Sequence, residues 1–221
     1  MRVAELTPTA LVDLTGAAIA PVWGANPLAG DPTGAARAIP GEGGPVIAWS
    51  GGLGPGLFDR HPATWLPTGR DAWERFLDAA EPELARRGGR LLVRPHARHV
   101  VSDVTAAASM LAGRDPARLG VALDPAACFE ATMLPDAEDH LRRMFRVLGA
   151  SAEVVILRSL PAAPAGGDGP GGPPLEPLPL GEGATDPALL GALVREYVGE
   201  RTVVAVSGPD PAGQLAGAGL L

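Results

Sequence analysis

The reading of this chain starts from Gly120-Val121-Ala122-Leu123-Asp124-Pro125. Four apolar positions run without alternation, the pattern of a strand buried on both faces of a parallel sheet. Pro125 ends the ladder because it has no N–H to donate. A single carboxylate, Asp124, therefore sits at the carboxyl end of a buried strand. That is where α/β proteins collect their chemistry.

Working outward, similar short apolar runs recur with helical stretches between them. Candidate strands are Arg2–Leu6, Ala17–Trp23, Val46–Trp49, Leu91–Arg94, Gly120–Asp124, Val154–Leu157 and Thr202–Val206. The clearest helix is Asp71–Arg87, where Trp73, Phe76, Leu77, Ala80 and Leu84 recur at spacings of three and four. Pro82 inside it is expected to kink or split it, and Gly88-Gly89 stops it. Further helices are expected from Ser102 or Asp103 to Leu111, from Asp136 or Ala137 to Leu148, and from Pro187 to Val198 behind an Asp186 cap. Pro8–Leu14 reads as a brief helix with Thr7 as cap and Pro8 at its first position. Residues 26–44 read as a long loop with a helical turn at Thr33–Ala38. Strand and helix alternate throughout, which calls for a parallel sheet covered by helices. Periodicity leaves an open doubly wound sheet and a closed barrel both standing. No Gly-x-Gly-x-x-Gly follows the first strand, which weakens the dinucleotide-binding form of the open sheet.

Composition narrows the class. The 221 residues carry 46% hydrophobic but only 4% aromatic side chains, so the core is mostly Ala, Val and Leu. A net charge of −7 with no basic stripe argues against a nucleic-acid partner. Cys128 is the single cysteine, which rules out an internal disulfide and a cysteine zinc cluster. No secretory leader and no membrane-spanning run is apparent, so a cytoplasmic protein with no membrane partner is expected. The whole chain, 1–221, reads as one domain. Its segment 161–179, rich in Pro and Gly, reads as a flexible insert.

Four stretches in order resemble the sugar-phosphate isomerase/epimerase family, the xylose-isomerase-like barrels. They are Leu92-Val93-Arg94-Pro95-His96, Gly120 to Pro125, Val155-Ile156-Leu157-Arg158-Ser159, and Pro179-Leu180-Gly181-Glu182-Gly183 with Asp186. The resemblance covers roughly residues 46–207. It implies a TIM-type (β/α) barrel, with Arg2–Leu6 as its second strand and Thr202–Val206 as its eighth. The first strand and helix are then missing. Seven strands remain, with an unpaired gap that invites a partner chain or a second copy.

The family holds a divalent metal with Glu, Asp, His and Glu at the ends of strands five to eight. The corresponding positions here are Arg94, Asp124, Ile156 and Val206. One carboxylate cannot supply the donors a divalent ion needs, and an arginine beside it repels the ion. The expectation is no catalytic metal and no cofactor, hence a degenerate barrel that binds a small sugar-like or phosphorylated molecule. Arg94 and Asp124 are expected to project into one mouth and pair. Arg158, two residues beyond Ile156, faces the same way. Arg94, Arg158, His99 and Trp49 are thus candidate ligand-binding residues, and Asp124, His96 and Glu182 candidate acid–base residues. Against that, Glu182 reads more readily as a tie between loop and rim. His96 and His99 read as exposed loop histidines, and the tryptophans as packing. Two other functions stay open: an active, metal-independent isomerase or lyase using Arg94, Asp124 and His96, and a non-catalytic partner-binding protein. The turn Ser50–Gly56 is glycine-rich like a phosphate cradle but lacks the Lys-Ser/Thr pair that marks one.

Overall fold

The computed structural model describes residues 1–162 and 175–221. Most of the expected flexible insert, 161–179, therefore lies outside the described residues. Eight strands close into a barrel in chain order. They are β1 (Arg2–Leu6), β2 (Ala10–Asp13), β3 (Ala18–Trp23), β4 (Gly44–Trp49), β5 (Gly89–Arg94), β6 (Leu119–Leu123), β7 (Val154–Leu157) and β8 (Val203–Val206). The helices are α1 (Pro32–Arg37), α2 (Pro67–Arg87), α3 (Val104–Ala112), α4 (Ala137–Leu148), α5 (Pro187–Tyr197) and α6 (Pro211–Gly217).

The seven expected strands are all present and mutually parallel. The eighth is β2, which pairs antiparallel with β1 and with β3. It occupies Ala10–Asp13, inside the stretch Pro8–Leu14 where a helix was expected. Its two turns explain the outcome. At one end the Thr7 hydroxyl and backbone N–H both donate to the Ala10 carbonyl, at 2.9 Å each, and reverse the chain around Pro8. At the other end Asp13 accepts from the Thr15 backbone N–H at 2.9 Å, the Thr15 hydroxyl at 2.7 Å and the Ala17 N–H at 2.9 Å. Gly16 follows at φ 89°. Such Asp and Ser/Thr turns compete directly with helix formation.

The expected gap is absent. β1 pairs directly with β8 from Arg2↔Val203 to Glu5↔Val206, and every strand has a neighbour on each side. No open strand edge remains in the barrel, which corrects the expectation of a missing first strand and a gap.

Strand alternation sorts the core into two layers. Inside the barrel lie Ala4, Leu11, Ala20, Ile47, Leu92, Ala122, Ile156 and Ala205, among others. The many alanines let a small barrel fill without aromatics. Outside, Val93, Val121, Leu123, Val155, Leu157, Val204 and Val206 meet the helices. α2 runs unbroken through Pro82, starting four residues before its expected first residue, with Pro67 at N1 and Gly88 as a left-handed C-cap. The expected split at Pro82 does not occur: the face carrying Trp73, Phe76, Leu77 and Ala80 is buried and outweighs one missing hydrogen bond. Asp103 and Asp186 cap α3 and α5 as expected, and Asp31 caps α1. No helix of the described residues is long and apolar enough to cross a membrane.

Leu11 of β2 is fully buried inside the barrel. Leu11→Ala is expected to cost about 2–5 kcal/mol in a urea melt. A loss below about 0.5 kcal/mol, the size of an exposed-site change, would be incompatible with β2 as a stave of the barrel.

Candidate functional site

The inward positions at the carboxyl ends of β4 to β7 are Trp49, Arg94, Asp124 and Arg158. They share the face of Ile47, Leu92, Ala122 and Ile156, one step nearer the mouth. Asp124 is wholly buried, at 0% exposure, and Arg94 nearly so at 6%. Arg94 donates to Asp124 Oδ2 from Nε at 3.0 Å and also from Nη2. Arg158 donates to the same oxygen from Nη2 at 2.5 Å. The other carboxylate oxygen accepts from the Ala127 backbone N–H at 3.3 Å, which caps the short 3₁₀ turn Pro125–Cys128. Pro125 thus both stops β6 and starts the turn that fixes Asp124 from behind.

An aromatic cluster flanks these charges. The Arg94 guanidinium lies over the Trp49 ring, 3.9 Å from its centre. Trp49 meets Phe58, His96 and His99 edge-on at 5.3, 5.4 and 5.5 Å. Phe58 stacks on His99 at an interplanar angle of 7° and leans on His96 at 4.8 Å. Phe58 is 37% exposed, the open wall of the cluster. It drew no notice in the sequence, where Leu57-Phe58 lies in a loop with no periodicity.

The histidines divide by their partners. His99 is fully buried and its Nε2 lies 2.9 Å from the Leu57 carbonyl, so Nε2 carries the proton and donates. It supports the loop under Phe58 and is closed to a ligand, which corrects its reading as a ligand-binding residue. His96 accepts the Arg98 backbone N–H on Nδ1 at 3.1 Å, which leaves its ring proton on Nε2. Both are buried, not the exposed loop histidines of the alternative reading. Burial pushes His96 down to about 3, helped by His99, and His99 down to about 4. Both are neutral at pH 7, and His96 is a donor in place of a base.

The charges are held firmly. Burial lowers Arg94 to about 10 against the pull of Asp124, and it stays protonated. For Asp124, burial favours the neutral acid, but Arg158 and Arg94 overcome it and hold the carboxyl below its usual range. A carboxylate so stabilised is a poor proton acceptor. Asp124 therefore positions the arginines.

Other expected residues fall elsewhere. Glu182 is exposed and makes no side-chain hydrogen bond or ion pair among the described residues. The loop is tied to the rim by its neighbours instead: Ser159 Oγ accepts the Gly181 N–H at 3.0 Å, and Thr185 Oγ1 accepts the Leu160 N–H at 2.9 Å. Val206 faces the outer helices, so Ser207 is the inward position after β8. Cys128 is buried and its thiol is raised by burial, a core residue. The Ser50–Gly56 turn spends its own N–H groups: Gly52 on Asn26 at 3.2 Å, Leu53 on Thr64 at 3.0 Å and Gly56 on Asp59 at 2.8 Å. Those three N–H groups are not free for a phosphate. Gly51 is required there, at φ 75° and with Asn26 Oδ1 at 2.4 Å from where a Cβ would stand.

Among the described residues no group of three or more His, Cys, Asp or Glu could hold a metal ion. Among the described residues the mouth does not fit a divalent cation, since its carboxylate Asp124 is covered by two guanidinium groups.

No family model and no curated protein matches the sequence. Solved structures do match. One is described as the probable 3-DHS dehydratase AsbF involved in petrobactin synthesis from Bacillus anthracis. It aligns with a TM-score of 0.49 and 12% identity, over 80% of this chain and 61% of that one. This chain's own eight-stranded closed barrel is of the TIM type. A xylose isomerase-like TIM barrel protein from Mycobacterium smegmatis, in complex with magnesium, aligns with a TM-score of 0.46 and 14% identity, over 84% and 63%. The IOLI protein with a binding zinc atom gives 0.46 and 14%, over 85% and 63%. The chain spans less than two thirds of the length of each. The barrel itself is carried by the strand order of this chain, which closes from β1 to β8.

Two outcomes follow for the site. Asp124→Asn leaves two guanidinium groups in a buried place without their counter-charge and is expected to cost about 3–5 kcal/mol in a denaturant melt. A loss below about 1 kcal/mol would show that solvent, not Asp124, carries the arginines. The second concerns pH. The folded histidines titrate near 3 and 4, well below the ordinary 6.5. The unfolded chain then binds the extra protons, so stability is full above pH 6.5 and falls as pH drops towards 4, by at most about 1.4 kcal/mol per pH unit for each imidazole. His99→Gln, which retains a donor for Leu57, should flatten this slope; an unchanged slope would place His99 in solvent.

Proposed function

We propose that the barrel mouth is a binding site for a small polar molecule, sugar-like or phosphorylated, and works without a divalent metal. The observation behind this reading is the state of Asp124: wholly buried, with two arginines on one oxygen and a backbone N–H on the other. The position that would ligate a metal in the resembled family is spent on an internal ion cluster. What remains at the mouth is rich in donors: the uncommitted N–H groups of Arg94 and Arg158, and His96 Nε2. They stand beside the exposed ring of Phe58, an apolar wall of the kind small-ligand sites use. Metal analysis of protein purified without chelator is expected to give far less than one manganese, cobalt, zinc or magnesium per chain. The melting temperature is expected to be the same with and without EDTA. A stoichiometric metal whose removal lowers the melting temperature would overturn the proposal.

A second reading is a metal-independent isomerase or lyase. It draws support from neutral His96, which keeps its ring proton on Nε2 and stands near enough to Arg94 to feel its charge, a pairing suited to polarising a carbonyl. The chemistry would then be electrophilic, since Asp124 is too well held to abstract a proton. Turnover of keto-sugars that survives chelator and falls at least tenfold in Arg94→Met would establish it over simple binding.

A further inference from the structure

We infer that the mouth is built to receive an oxyanion, a phosphate or carboxylate group, at the place where the resembled family holds a cation. The inference rests on the mouth being the ligand site, and it adds the charge class of the ligand.

The argument is one of charge balance in a place with little water. Arg94 and Arg158 carry two positive charges, with side chains 7% and 15% exposed. Both meet the same negative charge, Asp124, and that charge is divided between them. No other carboxylate lies in ion-pair range of either guanidinium among the described residues. The neighbouring titratable groups do not restore the balance. His96 and His99 are neutral, and the Cys128 thiol is held protonated by burial. The local sum is one uncompensated positive charge, in a chain whose net charge is −7.

Buried like charges repel strongly, and a lone buried charge is expensive unless paired. One carboxylate oxygen serving both cations does not meet that cost. A second anion does, and it would find its donors already placed. Arg94 is locked in plane by Trp49 beneath it and by its two bonds to Asp124. Its remaining terminal N–H groups keep the planar fork that suits phosphate and carboxylate oxygens. Arg158 is held at one terminal nitrogen, and His96 adds a neutral donor. By contrast the carboxylate of the cluster has both oxygens engaged, Oδ2 by the arginines and Oδ1 by the Ala127 N–H. A neutral polyol needs acceptors as well as donors; an oxyanion needs donors alone.

The test is titration calorimetry and thermal shift at constant ionic strength, with inorganic phosphate, malonate, xylose and sodium chloride as probes. Phosphate or malonate is expected to bind and raise the melting temperature, while xylose and chloride at the same ionic strength are expected to do neither. Preference between phosphate and malonate tells which oxyanion the site favours, and either one supports the inference. Arg158→Gln removes the excess charge. It is expected to remain folded by circular dichroism, since it relieves repulsion, and to weaken oxyanion binding at least tenfold. Arg158→Lys keeps the charge without the fork and should fall between the two. Oxyanion binding absent in the wild type, equalled by chloride, or unchanged in Arg158→Gln would overturn the inference. Xylose binding unaided by any anion would also overturn it while leaving the metal-free sugar site intact. A stoichiometric metal would instead strike at that underlying reading through its own assay.

Discussion

The structure turns on one carboxylate oxygen. Oδ2 of Asp124 receives both Arg94 and Arg158, and those three side chains come from three successive strands, β5, β6 and β7. Charges buried at the end of a barrel are tolerated only when paired. The ion cluster therefore fixes the rotamers of the strand ends and, through Trp49 on the face of Arg94, reaches β4 as well. Below it the barrel is filled with alanine and branched aliphatics that carry no polar atom. A further ion pair, Arg90 with Glu153 at 2.8 Å, sits at the amino ends of β5 and β7.

The aromatic cluster has a different task. Trp49 gives its face to Arg94, so that face is not a platform for a sugar. Its edge organises Phe58, His96 and His99. His99 anchors the loop through Leu57, and the loop presents Phe58. The exposed ring is thus set by a buried hydrogen bond behind it, at a place where loops of TIM-type barrels form their sites.

The parts legible in the sequence were those governed by strand parity. The run Gly120–Leu123 placed Asp124, and the two-residue step from Ile156 put Arg158 on the same face. The pairing of Arg94 with Asp124 followed from adjacent strands. The same rule, applied more strictly, would have shown Ser207 as the inward position in place of Val206, since Val203 and Ala205 line the interior. β2 was misread because Thr7-Pro8 serves equally as a helix start and as a turn. The deciding signal, Asp13 followed by Thr15 and Gly16, lay downstream of it. Phe58 and the closed state of His99 were not legible, because a loop without periodicity meets its neighbours only after the chain has folded.

β2 reverses direction between two parallel neighbours, so β1, β2 and β3 form a meander whose contacts are all between near neighbours in the chain. The seam between β1 and β8 is the opposite, joining Arg2 to Val203 across most of the sequence. Local pairings form at small entropic cost, and distant ones must wait for the intervening chain. A nascent chain on the ribosome can therefore assemble its first three strands early. It must keep the free side of β1 unpaired until β8 has been made, and throughout that interval β1 is an open edge exposed to aggregation.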